Sequence, residues 1–160
     1  MVLDVGAGCR EHPLVVGAVF TDYPLEPAAP SAGLTLDPAT GHSDGQQVNV
    51  TGSNVPDSYV GPRFWVFPTT GNWVVSQCGA GVADDRTIGG VFTNCAPEAT
   101  APVEVTGGNL DTQLTVSSAI TGALGDEIDC TAGDGCVAAL VRVERGGEVT
   151  VLTAPLSFGG

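Results

Sequence analysis

Residues 34–54 read Leu34-Thr35-Leu36-Asp37-Pro38-Ala39-Thr40-Gly41-His42-Ser43-Asp44-Gly45-Gln46-Gln47-Val48-Asn49-Val50-Thr51-Gly52-Ser53-Asn54. Leu34 and Leu36 alternate with polar neighbours, as Val48 and Val50 do, and the seven residues from Pro38 to Asp44 between them are turn formers. An apolar residue at every second position gives a strand with one face for a core, whereas a helix would need a spacing of three and four. The stretch therefore predicts strand, turn, strand. The same pattern recurs at Val103/Val105, Leu114/Val116, Val137/Ala139/Val141/Val143 and Val149/Val151, each run bounded by Gly, Asn or Asp. About seven to nine short strands with frequent turns predict an all-β chain folded as a β-sandwich.

The stretch also contains Gly41-His42-Ser43-Asp44-Gly45, which matches the G-x-S-x-G pattern of hydrolase nucleophile elbows. An elbow requires a strand feeding a helix, and the residues that follow alternate as a strand. A histidine next to the serine in sequence cannot fold back on its hydroxyl as a triad requires. A Gly/Ser/Asp turn is the better reading, and a hydrolase acting through Ser43 ranks a distant third among the functions considered. The other histidine, His12, lies far upstream, so no catalytic residues are assigned.

The chain has 160 residues, the size of one domain, with 18 acidic residues against five arginines, no lysine and a net charge of −13. Such a surface repels phosphate, which excludes nucleic acid as a partner and disfavours anionic membranes. Apolar residues make up 42% of the chain, enough for a core, and no apolar run is long enough for a membrane span. Asp126, Glu127, Asp129 and Asp134 cluster, but without the spacing of a calcium loop, so they read as a solvated acidic loop and no metal or cofactor is assigned. The sequon Asn49-Val50-Thr51 bears on function only in a eukaryotic secretory pathway.

Residues 1–31 form an extension with one candidate strand, Leu14-Val15-Val16-Gly17-Ala18-Val19-Phe20, and the proline-rich linker Tyr23-Pro24-Leu25-Glu26-Pro27-Ala28-Ala29-Pro30. The domain proper is expected over 32–160. None of the five cysteines lies in a C-x-x-C pair, which leaves zinc-ribbon and thioredoxin readings without support. Cys78/Cys95 and Cys130/Cys136 each bracket a turn-rich segment, the first a candidate hairpin loop, and suggest bridges; the alternative is buried reduced thiols. Bridges favour an extracellular or cell-surface location, although the chain shows no signal sequence. Cys9 is then a free thiol, an intermolecular bridge or a lipidated cysteine, since Gly6-Ala7-Gly8-Cys9 loosely matches a lipobox.

The segment Arg63-Phe64-Trp65-Val66-Phe67-Pro68 is apolar on both faces of a strand. One face suits the sandwich core, and the other needs cover from the N-terminal segment, a ligand or another protein. Trp65, Phe67, Trp73 and Phe92 are the candidate ligand-binding residues on that ground.

With these residues placed, the stretch from Leu34 to Phe158 resembles the neocarzinostatin family of secreted actinobacterial enediyne-carrier apoproteins. The pieces occur in order: Leu34 to Pro38, Ser43 to Gly52, Gln77-Cys78, Asn94-Cys95-Ala96-Pro97, Leu114-Thr115-Val116, Ile128-Asp129-Cys130, Cys136 to Leu140, and Leu156-Ser157-Phe158. The resemblance implies an immunoglobulin-like seven-stranded β-sandwich with two disulfide-pinned hairpins, Cys78 with Cys95 and Cys130 with Cys136, walling a cleft.

It also implies a set of departures. Ala80 and Thr100 stand where the family has aromatics, Thr93 where it has an apolar residue, and Val137 and Val141 where it has cleft-lining glutamine and serine. The stretch from Ser117 to Cys130 is short and carries no aromatic, while residues 57–76 are longer than the family pattern. The expected function is a non-catalytic, secreted or cell-surface binding domain whose ligand the sequence does not identify, a hydrophobic small molecule or another protein, with the family's chromophore pocket poorly retained. The alternative is a structural or protein-interaction module.

Overall fold

The computed structural model describes residues 31–59 and 71–159, and within them the alternation of residues 34–54 becomes two antiparallel strands, β1 (Gly33–Asp37) and β2 (Gln46–Ser53). The predicted strand Leu14–Phe20, Cys9, and the aromatic residues Trp65 and Phe67 lie outside the described residues. Seven further strands follow: β3 (Trp73–Gly79), β4 (Cys95–Val103), β5 (Leu110–Val116), β6 (Ala119–Thr121), β7 (Glu127–Asp129), β8 (Cys136–Val143) and β9 (Val149–Leu156). One helix, α1 (Ile88–Asn94), and a 3-10 turn at Ala80–Ala83 fill the connection between β3 and β4. A three-stranded sheet in the order β1-β2-β5 packs on a four-stranded sheet in the order β4-β3-β8-β9, which makes a seven-stranded all-β sandwich. The short ribbon β6-β7 forms a sheet of its own, with Ile120 buried in the core cluster and Ile128 packed against it.

The core between the sheets takes Leu36, Val48 and Val50 from one side and Trp73, Val75, Ala138 and Leu140 from the other, all buried. Strand β8 is buried on both faces along its whole length. Its evident alternation, Val137, Ala139, Val141 and Val143, points away from the sandwich core into a second apolar cluster on the outer face of the four-stranded sheet. That cluster includes Val82 and Val91 from the β3-β4 connection, with Ala80 and Ile88 packed against it. The connection thus covers part of a sheet face that a simple sandwich would leave wet.

Both bridges suggested by the cysteine spacing are present, Cys78 to Cys95 and Cys130 to Cys136. The first joins β3 to β4 and closes the helical connection, and the second closes the turn between β7 and β8. Beside them, Gln77 is fully buried and faces inward. Its side-chain amide accepts from the Ser117 N–H at 2.8 Å and donates to the Ser117 carbonyl at 2.6 Å, joining β3 to the end of β5. It also donates to the Cys130 sulfur at 3.2 Å. Gln77→Leu keeps the volume and leaves both Ser117 groups without partners, so it is expected to lower the unfolding free energy by about 2 kcal/mol. A urea midpoint within error of the unsubstituted protein would contradict that role.

The Gly41–Gly45 segment is a turn, with Gly41 and Gly45 both at φ +74°. His42 is buried there, 1% exposed, with its ring 6.0 Å from that of Phe158 in an edge arrangement. Nε2 lies 2.9 Å from the Pro38 carbonyl oxygen, and Nδ1 lies 2.9 Å from the Ser157 carbonyl oxygen and 3.2 Å from the Ser157 N–H, so both ring nitrogens meet backbone. Asp44 accepts from the Ser118 N–H at 2.8 Å. The motif therefore pins the C-terminal strand and the β5-β6 connection to the turn. Asp129 is also used locally: hydrogen bonds from the Thr131 hydroxyl and N–H hold its carboxyl below the usual range.

Candidate binding cleft

The outer face of the four-stranded sheet contains a break in register that builds a cleft. Ser76 pairs with Thr100 and Cys78 with Cys95, so residues 96–99 stand opposite Gln77 alone. Such a bulge bends its strand and re-aims side chains. Here it sets Pro97, Thr100 and Pro102 along one side of a cavity of about 250 Å³ whose floor is Val74, Ser76 and Val141.

Helix α1 supplies another wall through Val91, Phe92 and the half-cystine Cys95 that follows it. The sequence Ile88-Gly89-Gly90-Val91-Phe92-Thr93-Asn94 is a poor helix former, with two glycines and three β-branched residues in seven. Local bonds offset this. The Thr87 hydroxyl caps the helix by accepting from the Gly90 N–H at 3.0 Å, and the Asn94 side chain donates to the Gly90 carbonyl at 2.8 Å. Gly90 is required at its position, because a Cβ there would collide with the Asp85 backbone oxygen.

The turn between β6 and β7 closes the remaining side with Ala123. Its N–H donates to the Phe92 carbonyl at 2.8 Å, and the approach is so close that a Cβ on Gly122 would collide with the Thr93 carbonyl oxygen. Next to it, Leu124 is 69% exposed.

Among the described residues the lining is apolar apart from two hydroxyls, those of Ser76 and Thr100, and none of them carries an ionisable side chain. A cleft of this kind holds a molecule by excluding water from apolar surface, with few polar groups to orient it. Of the four aromatic residues named from the sequence, Phe92 lines the cleft. Trp73 is fully buried in the inter-sheet core, its Nε1 donating to the Pro56 carbonyl at 2.7 Å. Thr100 and Val141, two of the positions where the chain departs from the neocarzinostatin pattern, are part of the lining, whereas Ala80, Thr93 and Val137 are not. Val74, Pro97, Pro102 and Ala123 were not anticipated, since small aliphatic residues carry no signal in a sequence until the sheet register is known.

No family model matches the chain, and no curated protein matches it. Among solved structures it is similar to macromomycin, with 24% identity and a TM-score of 0.52, covering 79% of this chain and 99% of the macromomycin chain. The solution structure of apokedarcidin also matches, with 27% identity and a TM-score of 0.49, covering 81% of this chain and 100% of that one. The likeness to macromomycin, a neocarzinostatin-family protein, gives the chain the same fold that the resemblance in the sequence implies.

Proposed function

We propose that residues 32–160 form a non-catalytic binding domain, secreted or displayed at a cell surface, that holds a hydrophobic small molecule in the cleft between α1, the β4 bulge and the β6-β7 turn. Residues 1–31 precede it as an extension. The observation that carries this reading is the cleft itself: about 250 Å³ of open apolar space, with no ionisable side chain among the described lining residues, on a chain whose net charge is −13. The carrier role implied by the neocarzinostatin resemblance agrees with it, as does the shared fold with macromomycin. Relative to the pattern that resemblance implies, Thr100 takes the place of an aromatic in the lining, so the cleft offers an occupant one ring fewer to stack on. Two disulfides suit an oxidising compartment. The described lining residues carry no ionisable group and both His42 nitrogens are held by backbone, which favours a carrier over an enzyme.

The test is titration with prodan, a neutral two-ring dye whose emission shifts to the blue in apolar surroundings. Binding to the oxidised protein is expected, and Val141→Phe, which fills the floor of the cleft, is expected to weaken it at least tenfold. Absence of binding, or binding indifferent to Val141→Phe, would overturn the small-molecule reading and leave the structural or protein-interaction module in its place.

A further inference from the structure

Ser76 and Thr100 face each other across the last matched pair before the register break, and they are the two hydroxyls of the cleft. Their oxygens are 2.9 Å apart. The Thr100 hydroxyl also reaches the Ala96 carbonyl at 2.8 Å. The Ser76 hydroxyl reaches that same carbonyl at 3.2 Å and the Gln77 carbonyl at 3.3 Å. Each hydroxyl has one proton to give and two lone pairs to receive with. However the two rotate among these partners, both protons are held by protein oxygens. Unused lone pairs are what the pair offers to the cleft. Thr100 is exposed, so its oxygen can be reached, and Ser76 is 3% exposed beneath it.

Resting on the small-molecule reading above, we propose that the Ser76–Thr100 pair is the polar anchor of the cleft and selects neutral apolar molecules that carry a hydrogen-bond donor, such as a phenol or a fused-ring alcohol. A ligand hydroxyl or N–H docks on the lone pairs without disturbing any existing bond. A ligand with only an acceptor must draw a proton away from the Ala96 carbonyl or from the partner hydroxyl, and a hydrocarbon leaves the pair desolvated. One such hydrogen bond corresponds to roughly tenfold in affinity. Among the described residues the lining has no cation to receive an anion, and the −13 charge of the chain opposes one, while the apolar walls would strip water from a charge of either sign, which favours neutral molecules. The anchor belongs to this chain's own residues, because Thr100 stands where the neocarzinostatin pattern has an aromatic.

The experiment compares 2-naphthol, 2-methoxynaphthalene and naphthalene as displacers of prodan. For the unsubstituted protein, 2-naphthol is expected to bind about tenfold more tightly than the other two. The double variant Ser76→Ala/Thr100→Val is expected to bring the three together. Thr100→Val alone, at an exposed position where folding is not at stake, is expected to narrow the gap at least threefold. If the three displace equally from the unsubstituted protein, or if the naphthol preference survives Thr100→Val undiminished, the anchor is refuted while the cleft stands. If prodan itself does not bind, both the anchor and the binding function fall.

Discussion

Arg142→Ala is expected to lower the unfolding free energy at pH 7 by about 3 kcal/mol, the low end of what removing one partner of a buried ion pair costs. Arg142 is 8% exposed at the end of β8 and faces inward, and its pairing with Glu144 is the salt bridge found among the described residues, Nε to Oε1 at 2.8 Å. Its Nη1 donates to the Asp57 carbonyl at 3.0 Å and lies 3.4 Å from that of Pro56. The guanidinium stacks 4.4 Å from the Trp73 ring and 5.2 Å from the Tyr59 ring. Alanine removes all of this together. It takes the charged partner from the Glu144 carboxylate and the side-chain donor from the Asp57 carbonyl, while the Pro56 carbonyl keeps the Trp73 Nε1–H, and it uncovers one face of the tryptophan.

The pH dependence separates the charge from the packing. Burial alone would push the Glu144 carboxyl up, but hydrogen bonds from Thr150, Tyr59 and Arg142, with the Arg142 charge, outweigh it and hold the group below the usual range. A carboxyl depressed in the folded state stabilises the fold above its unfolded value of about 4.3 and loses that contribution as pH falls through the folded value. The Arg142→Ala deficit is therefore expected to shrink between pH 5 and pH 3 when urea midpoints are compared. A deficit that does not change over that interval would assign the effect to stacking on Trp73 and not to the ion pair.

Strand-forming segments were legible because a two-residue period survives whatever the strand packs against. Which face of a strand meets which core was not. In β8 the visible alternation of valines marks the outer face, because Ala138 and Leu140 between them are apolar too and fill the sandwich. His42 looked like part of a turn, and it is one. Its burial depends on Ser157, 115 residues away, which no local pattern can indicate. Helix α1 was hidden for a different reason. Ile88 to Asn94 has almost no intrinsic helical preference, and what sustains it is the Thr87 cap, the Asn94 side chain and apolar cover on the outer sheet face. Since α1 makes a wall of the cleft, the cleft was hidden with it. Aromatic content drew attention to residues 64–73, while the lining consists mainly of valine, proline and alanine brought together by a register break.

Removing the two disulfides separately is expected to divide stability from binding. For Cys78→Ala/Cys95→Ala the loop released has a sequence separation of 17, and the entropy gained by the unfolded chain corresponds to about 3 kcal/mol of lost stability. Cys130→Ala/Cys136→Ala releases a separation of only 6 and is expected to lose about 2 kcal/mol on the same basis. The two differ more in what they hold. The first bond ties β3 to β4 on the far side of the register break and closes the segment that carries Val82, Val91 and Phe92, and Cys95 itself lines the cleft. The second bond closes a turn outside the lining, and its half-cystines are buried in the inter-sheet core, on the opposite face of the sheet from the cleft, where Cys130 also meets the Gln77 amide. Prodan affinity is therefore expected to fall at least tenfold in the first variant and to stay within twofold in the second, each measured where urea unfolding shows the protein folded. Equal losses of affinity in the two variants would mean that the cleft depends on the stability of the whole sandwich and not on the wall that the Cys78–Cys95 bond holds in place.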